Sequence, residues 1–293
     1  MDQQLNIMMI GAHPDDCDFR CGGIALKYAR LGHRVQFVSL SDGSGGHQSM
    51  KPAELTVRRK QEAAAVAAFA GIEYLVLDHR DCEIMADLAS RQHLIRLIRS
   101  FRPDLILCSR PNDYHADHRN SSILVQDASY LLIVPNTCPD VPPLTDMPVI
   151  GFFYDSFQNP PFAPQVVIDI DDVVDDKFRM LDCHVSQVYE WLPFTNHRLA
   201  EVPLDAAERL EWLRQPRIDR NQDAGRPARI DQEKRPGMFG ERRFAEAARL
   251  YRNRLIERYG PDRGEQVLFA EAFQLSEYGR QPSRDQLDRL FPF

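Results

Sequence analysis

Short apolar runs alternate with segments of helical periodicity through the first two thirds of the chain. The apolar runs predict buried strands, and the intervening segments have apolar positions at helical spacing. The predicted strands are residues 5–10, 34–40, 74–77, 104–108, 149–154 and 166–170. The predicted helices are residues 24–31, 54–70, 91–101, 118–132 and 171–189. Alternating strands and helices predict an α/β fold, a doubly wound and mostly parallel sheet with helices on both faces.

The last third of the chain has a different character. Residues 214–240 are rich in Arg, Asp, Gln, Pro and Gly, which is typical of an extended or partly disordered polar linker. Residues 242–259 and 263–273 have apolar faces and are predicted to be amphipathic helices. The sequence therefore divides into a main domain, 1–213, a linker, 214–240, and a C-terminal helical extension, 241–293. We expect the extension to pack on the main domain or on a neighbouring subunit, near the strand exits.

Two His/Asp motifs follow predicted strands. His13-Pro14-Asp15-Asp16 comes after the first strand, and His115-Ala116-Asp117-His118 comes after the fourth. The carboxyl ends of parallel strands meet at one edge of a sheet, where open α/β folds bind their ligands. Alone, the first motif would also suit an ordinary polar turn. Together, the two offer the ligand number of a catalytic divalent ion with a position left open for water.

The paired motifs resemble those of the PIG-L/LmbE-like zinc-dependent N-acetylglucosaminyl de-N-acetylases. Ser41-Asp42-Gly43, Arg59-x-x-Glu62 and His184-Val185-Ser186-Gln187 also look like family positions, and the resemblance covers residues 5 to about 190. It implies a Rossmann-like catalytic domain over residues 1–213. It also implies hydrolysis of the acetamide of an N-acetylglucosamine-containing substrate, which releases acetate and a free amine.

The resemblance implies a role for each motif residue. The predicted ligands of Zn²⁺, or of another divalent metal such as Fe²⁺, are His13, Asp16 and His118. Asp15 cannot easily face the same ion as its neighbour, so it is the candidate general base. His115 is predicted to support the oxyanion or protonate the amine. Asp117 would orient His115 or buttress a ligand.

Polar residues at the strand exits are candidates for sugar binding. The predicted substrate-binding residues are Arg59, Asp42, Asn112 and His184. Arg59 would otherwise lie on a solvated helix face, and His184 is equally well explained as a structural helix residue. Asp42 belongs to a glycine-rich loop that lacks the lysine of a phosphate-binding loop. Asp81, after the third strand, is a candidate for the rim of the site, although a surface turn explains it more simply.

Composition narrows the possible partners. The 293 residues carry a formal net charge of −7 without a long basic block, which disfavours nucleic acid and anionic membranes. No apolar window is long enough for a membrane span, and the N-terminus lacks a signal-peptide pattern. The six cysteines have no zinc-finger spacing and are expected to be reduced thiols. We therefore expect a cytoplasmic enzyme acting on a small N-acetylated sugar, and the resemblance implies a homo-oligomer.

Two other functions remain compatible with the motifs. His/Asp clusters at strand exits also serve metallohydrolases that act on another amide, an ester or a phosphoester. A non-enzymatic module that binds a metal or a nucleotide is the third possibility. The first strand is not followed by Gly-x-Gly-x-x-Gly, the pattern typical of dinucleotide binding, which argues against a nucleotide-binding module.

Overall fold

Seven strands form one sheet in the order β3-β2-β1-β4-β5-β7-β6 in the computed structural model, which describes residues 4–215 and 240–293. The strands are β1 (Asn6–Gly11), β2 (Arg34–Ser41), β3 (Glu73–His79), β4 (Leu105–Cys108), β5 (Val149–Phe153), β6 (Val166–Asp169) and β7 (Ala270–Gly279). Neighbouring strands from β3 to β5 pair in parallel, whereas β7 is antiparallel to both β5 and β6. The predicted doubly wound, mostly parallel sheet is confirmed.

Helices cover the sheet. In chain order they are α1 (Asp16–Arg30), α2 (Pro52–Ala70), α3 (Leu88–Phe101), α4 (Ala116–Ser129), α5 (Val174–Asp182), α6 (Leu192–Thr195), α7 (Ala206–Leu213), α8 (Glu241–Leu250), α9 (Arg252–Tyr259), α10 (Pro261–Gly264) and α11 (Arg284–Leu290). Two large apolar clusters are built from alternate residues of the central strands, such as Met9 on one and Met8 on the other. Because successive side chains of a strand point to opposite faces, the sheet has a buried core on each face.

Several helices differ from their predicted bounds. α1 begins at Asp16 rather than at residue 24, so the first His/Asp motif leads directly into a helix. The predicted helix over residues 171–189 is divided into α5 and a π-helical segment, Ser186–Trp191. The predicted helix over 242–259 breaks at Tyr251 into α8 and α9.

The predicted helix over residues 263–273 is wrong, because β7 begins at Ala270. Phe269 and Phe273 pack in the same core cluster and are four positions apart, a spacing that suits one face of a strand as well as a helical stripe. Pairing with β5 and β6 decides in favour of a strand, since β7 lies between these two strands in the sheet. Residues after 241 therefore complete the sheet of the main domain. The predicted linker, 214–240, lies outside the described residues except for its ends.

Strand β7 also supports α1. The helix is kinked at Cys21, where φ is −146°. Beyond the kink, the backbone N–H groups of Gly23 and Ile24 each donate to the Glu271 carboxylate at 2.8 Å. Lys177 Nζ completes this buried group, 2.6 Å from Glu271 Oε1. Among the described helices, none combines the length and apolar character needed to cross a bilayer.

Candidate active site

The turn between β1 and α1 is closed by Asp16. Its Oδ2 accepts hydrogen bonds from the backbone N–H groups of Ala12 and His13, both at 2.8 Å. Gly11 permits this close turn, because a Cβ there would lie 2.6 Å from the Cβ of Asp16. The sequence therefore fixes His13 and Asp16 relative to each other before any other element packs against them.

Helix α4 brings His118 to the same point. His118 Nε2 lies 3.2 Å from His13 Nδ1 and 3.4 Å from Asp16 Oδ1, and His13 Nδ1 lies 3.5 Å from Asp16 Oδ2. Ligand atoms about 2.0–2.2 Å from a tetrahedral zinc ion lie roughly 3.3–3.5 Å from one another. The three residues predicted as metal ligands thus lie together, with Asp16 presenting Oδ1 to His118 and Oδ2 to His13, at separations close to those between zinc ligands.

Carboxylates face the outer nitrogen of both imidazoles. His13 Nε2 lies 3.0 Å from Asp81 Oδ1 and 3.4 Å from Asp117 Oδ2. His118 Nδ1 lies 3.1 Å from Asp113 Oδ2. A carboxylate behind a metal-binding histidine fixes the ring and its tautomer, leaving the inner nitrogen for the ion. Asp117 therefore lies behind His13, the predicted ligand, rather than behind His115.

The charges of the site favour a cation. Burial opposes a charged His13, yet hydrogen bonds to Asp117, Asp16 and Asp81 raise its pKa well above the ordinary value. Burial also opposes charge on His118, but Asp16 and Asp113 raise the pKa of that ring to about 9. The carboxylates thus stabilise positive charge at the centre of the cluster. This excess of negative charge, together with the donor spacing, fits a divalent cation.

His115 lies beside the three converging donors. Its ring centroid is 4.8 Å from that of His13 and 5.1 Å from that of His118. Its Nδ1 accepts a hydrogen bond from the backbone N–H of Asp117 at 3.1 Å, so in the neutral ring Nε2 carries the proton. Burial, followed by repulsion from His13 and His118, lowers the pKa of His115. His115 is therefore suited to donate a hydrogen bond as a neutral imidazole.

Asp15 forms an ion pair with Arg59 of α2. Asp15 Oδ1 lies 3.1 Å from Arg59 Nη2, and Arg59 is only 2% exposed. The glycine-rich loop after β2 packs over this guanidinium, since a Cβ on Gly43 (φ +66°) would lie 3.2 Å from its central carbon. Loop packing covers the Arg59 side chain, which pairs with Asp15, and its contact with substrate stays a prediction.

The other predicted substrate residues differ in their surroundings. His184 is fully buried, with Nε2 3.2 Å from Asp18 Oδ2, and its substrate contact stays a prediction. Asp42 accepts hydrogen bonds from Ser44 N at 2.9 Å and Thr56 Oγ1 at 3.0 Å, which brace its loop. Asn112 is half-buried and remains a candidate for substrate binding.

Sequence reasoning missed Asp113 and placed Asp81 only at the rim. Asp81 comes directly after Arg80 at the exit of β3, and its Oδ2 also accepts a hydrogen bond from Gly45 N at 3.1 Å. Asp113 Oδ1 accepts a hydrogen bond from His115 N at 2.9 Å, while its Oδ2 faces His118. A signal for Asp113 was available, because it precedes the second motif by only two residues.

The sheet and the cluster define an α/β protein with a carboxylate-supported His/Asp cluster whose donors are of the types that bind divalent cations. The family model for PIG-L, GlcNAc-PI de-N-acetylase, matches residues 8–129. A diacetylchitobiose deacetylase from Thermococcus kodakarensis is 30% identical over 203 residues, which cover 64% of this chain and 74% of that protein. The chain belongs to the PIG-L family.

One further relative and one solved structure are named for a different activity, that of a hydratase. A 4-oxalmesaconate hydratase from Pseudomonas putida is 26% identical over 200 residues, covering 66% of this chain and 78% of the relative. The solved N,N'-diacetylchitobiose deacetylase from Pyrococcus horikoshii has a TM-score of 0.62 at 22% identity, covering 95% of this chain and 87% of that chain. The 4-carboxy-2-hydroxymuconate hydratase from Pseudomonas putida KT2440 also has a TM-score of 0.62, at 20% identity, covering 95% and 98%. These two structures share the fold.

Proposed function

We propose that this protein is a zinc-dependent deacetylase that hydrolyses the acetamide of an N-acetylglucosamine-containing substrate and releases acetate. The main support is the convergence of His13 Nδ1, Asp16 and His118 Nε2 at 3.2–3.5 Å, with carboxylates behind both rings. Family membership and the related diacetylchitobiose deacetylase favour an acetamido sugar as substrate.

The proposed mechanism assigns a task to each residue around the cluster. Zinc held by His13, Asp16 and His118 would polarise the acetamide carbonyl and make a water molecule more acidic. Asp15, oriented by its ion pair with Arg59, takes the proton from the attacking water. His115 donates its Nε2–H to the oxyanion that develops on the acetyl group. The proton held by Asp15 then passes to the departing amine nitrogen, which balances the reaction.

Acetate release tests this function directly. Protein stripped of metal and reloaded separately with zinc or ferrous iron is incubated with N-acetylglucosamine, diacetylchitobiose and N-acetylglucosamine derivatives with other aglycones. We expect acetate from at least one sugar in the zinc-loaded sample and none in the stripped sample. Full metal occupancy without acetate from any of these sugars would contradict the proposal.

A hydratase is the second candidate, favoured by the relative that is 26% identical and named 4-oxalmesaconate hydratase. A base and a cation that activate water for attack on an amide can also direct water to an activated carbon–carbon double bond. Incubation of the metal-loaded protein with 4-carboxy-2-hydroxymuconate separates the two functions. Loss of the ultraviolet absorbance of its conjugated system would favour the hydratase.

A further inference from the structure

A second group of metal-binding side chains lies beside the three converging donors. Asp81 and Cys82 follow β3, and His115 caps the N-terminus of α4. Each of the three offers one ligand atom, and these atoms lie within 4.8 Å of one another. Cys82 Sγ is 3.4 Å from Asp81 Oδ1. A carboxylate, a thiol and an imidazole are the side-chain groups that bind zinc, and none of these three residues is a predicted ligand of the first ion.

The backbone of Cys82 has an unusual conformation. Its φ is +67°, in the left-handed region that residues other than glycine rarely adopt. Asp117 holds the turn there, because its Oδ2 accepts a hydrogen bond from Cys82 N at 2.7 Å and its Oδ1 accepts one from Ile84 N at 3.3 Å. Residues kept in such conformations by their surroundings cluster at functional sites. The carboxylate behind His13 thus also fixes the position of the thiol.

The three side chains can be reached by an incoming ion. Cys82 is exposed and carries a free thiol, while Asp81 and His115 are half-buried. Asp81 already faces His13 with Oδ1 and accepts a hydrogen bond from Gly45 N with Oδ2. A carboxylate has about four lone-pair sites, so Asp81 can keep both contacts and still bind an ion.

His115 makes this second group the weaker of the two. Its Nδ1 accepts the hydrogen bond from Asp117 N, so Nε2 is the nitrogen left for an ion. Binding through Nε2 moves the proton of the neutral ring to Nδ1, and the hydrogen bond from Asp117 N is then lost. His13 and His118 need no such change, because carboxylates already face their outer nitrogens. The second group should therefore fill only when zinc exceeds one equivalent.

We propose that Asp81, Cys82 and His115 form a second, inhibitory site for zinc and for other divalent ions that bind thiolates. An ion on His115 Nε2 removes the hydrogen-bond donor that the proposed mechanism directs at the oxyanion. The ion displaces the proton of the Cys82 thiol, which passes to solvent. Magnesium and calcium prefer oxygen ligands and should not inhibit in this way. The inhibitory effect rests on the proposed deacetylase function, whereas the metal site does not.

Cobalt tests the site without any measurement of activity. The predicted ligands of the first ion include no sulfur, so a thiolate-to-cobalt charge-transfer band in the near ultraviolet identifies an ion bound at a cysteine. The metal-free, full-length protein is titrated with cobalt(II). We expect the band to develop after the first equivalent in the parent protein and to be absent in Cys82→Ser. Cys82→Gly, which suits the positive φ, should lack the band as well and guards against a folding defect.

Cys183→Ser is the matched control for these variants. Cys183 is a half-buried thiol whose Sγ donates to the backbone oxygen of Arg179 at 3.4 Å, and it belongs to neither group of donors. This variant should keep the cobalt band. Equilibrium dialysis with zinc should likewise give two ions per chain in the parent and in Cys183→Ser, but one in Cys82→Ser.

Zinc inhibition tests the consequence for activity. Zinc is added to enzyme that already holds one equivalent, and acetate release is expressed relative to the activity of each variant before the addition. Loss of a residue that merely orients a ligand weakens metal binding about 10–100-fold. Loss of the Cys82 ligand in Cys82→Ser should therefore raise the zinc concentration that halves activity by at least about tenfold. Magnesium at the same concentrations should not inhibit the parent enzyme.

The outcomes separate this inference from the proposed function. No cobalt band in the parent, a band that persists in Cys82→Ser, or zinc that never exceeds one ion per chain overturns the inference and leaves the deacetylase function intact. A second zinc that leaves acetate release unchanged or raises it overturns the inhibitory role. If no sugar yields acetate, the proposed function fails, and the cobalt titration still supports or overturns the metal site.

Discussion

Asp15 and Asp16 are neighbours in the chain but have different partners. Asp16 is held by two backbone N–H groups of its own turn, and its carboxylate faces His13 and His118. Asp15 faces Arg59, which is buried under the loop after β2. A local turn therefore fixes one carboxylate as a candidate metal ligand, and a contact across the fold orients the other as a candidate base.

The two roles predict different consequences of substitution. Asp15→Asn should retain bound metal and lose about two to four orders of magnitude in kcat, because the general base is removed while the ligands remain. His118→Ala should instead lose the metal itself. Metal content by mass spectrometry and kcat for acetate release measure both effects. If Asp15→Asn is as active as the parent enzyme, the base assignment is wrong and His115 becomes the candidate.

Asp113 gives a second test at the scale of a residue. Asp113→Asn should weaken metal binding about 10–100-fold, since the carboxylate behind His118 no longer orients that ring. Competition with a chromogenic chelator measures the change in Kd. Asp140→Asn is a suitable control, because Asp140 is an exposed carboxylate paired with Arg96 far along the chain from the motifs. An unchanged Kd in Asp113→Asn would show that the ring is positioned without it.

The sequence was informative about the site where the geometry is local. His13 and Asp16 share one turn, and parallel strand order brings His118 to the same edge of the sheet. Burial depends instead on which loop or helix covers a side chain. The sequence therefore did not reveal that Arg59 is covered by the loop containing Gly43, or that His184 is enclosed with Asp18.

At the scale of elements, a late strand stabilises the helix that carries Asp16. The kink in α1 frees two backbone N–H groups that would otherwise bond within the helix, and Glu271 of β7 accepts both. Lys177 on α5 supplies the compensating charge, with its side chain 1% exposed. The group thus joins α1, α5 and β7 beneath the strand exits.

Removal of one charge from this group should be costly. Glu271→Gln leaves the Lys177 ammonium buried without its carboxylate, which typically costs about 3–5 kcal/mol in the free energy of unfolding. Urea denaturation measures the loss. The double variant Glu271→Gln/Lys177→Met should recover part of it, because no unpaired charge remains. A loss below about 1 kcal/mol in the single variant would contradict this account.

The sequence predicted the parallel elements better than the antiparallel one. Runs such as those of β1 and β4 are continuous and apolar because both faces of each strand are buried. Short runs of this kind, bounded by polar turns, are typical of buried parallel strands. β7 contains Glu271 among its buried residues, and its apolar residues also fit a helical stripe. Only its pairing with β5 and β6, more than a hundred residues earlier, resolves the ambiguity.

At the scale of the whole molecule, a buried histidine makes stability depend on pH. Burial opposes charge on His184, but Asp18 raises its pKa above the ordinary value of about 6.5. The raised pKa means that the folded protein binds the proton more tightly than the unfolded chain does. The resulting stabilisation is complete below about pH 6.5 and is lost as the pH rises through the folded-state pKa.

A His184→Gln variant isolates this contribution. The difference in unfolding free energy between the parent protein and the variant should be largest at about pH 6 and should shrink towards alkaline pH. Urea denaturation across this range, with a chelator in every sample, removes the effect of metal binding from the comparison. A difference that grows with pH would mean that folding favours neutral His184.

The position of β7 also predicts that the main domain cannot fold without the C-terminal part of the chain. A truncation after Leu213 removes β7 from between β5 and β6, so both strands lose a hydrogen-bonded neighbour. It also removes Phe269 and Phe273, which are fully buried in the core, and the Glu271 partner of Lys177. We expect an insoluble product, or one without cooperative unfolding by circular dichroism and without bound metal.

Co-expression of residues 214–293 as a separate chain should restore part of the soluble, metal-binding protein, because the missing strand can then pair in trans. A soluble truncate that retains metal would show that residues 1–213 are an independent domain after all.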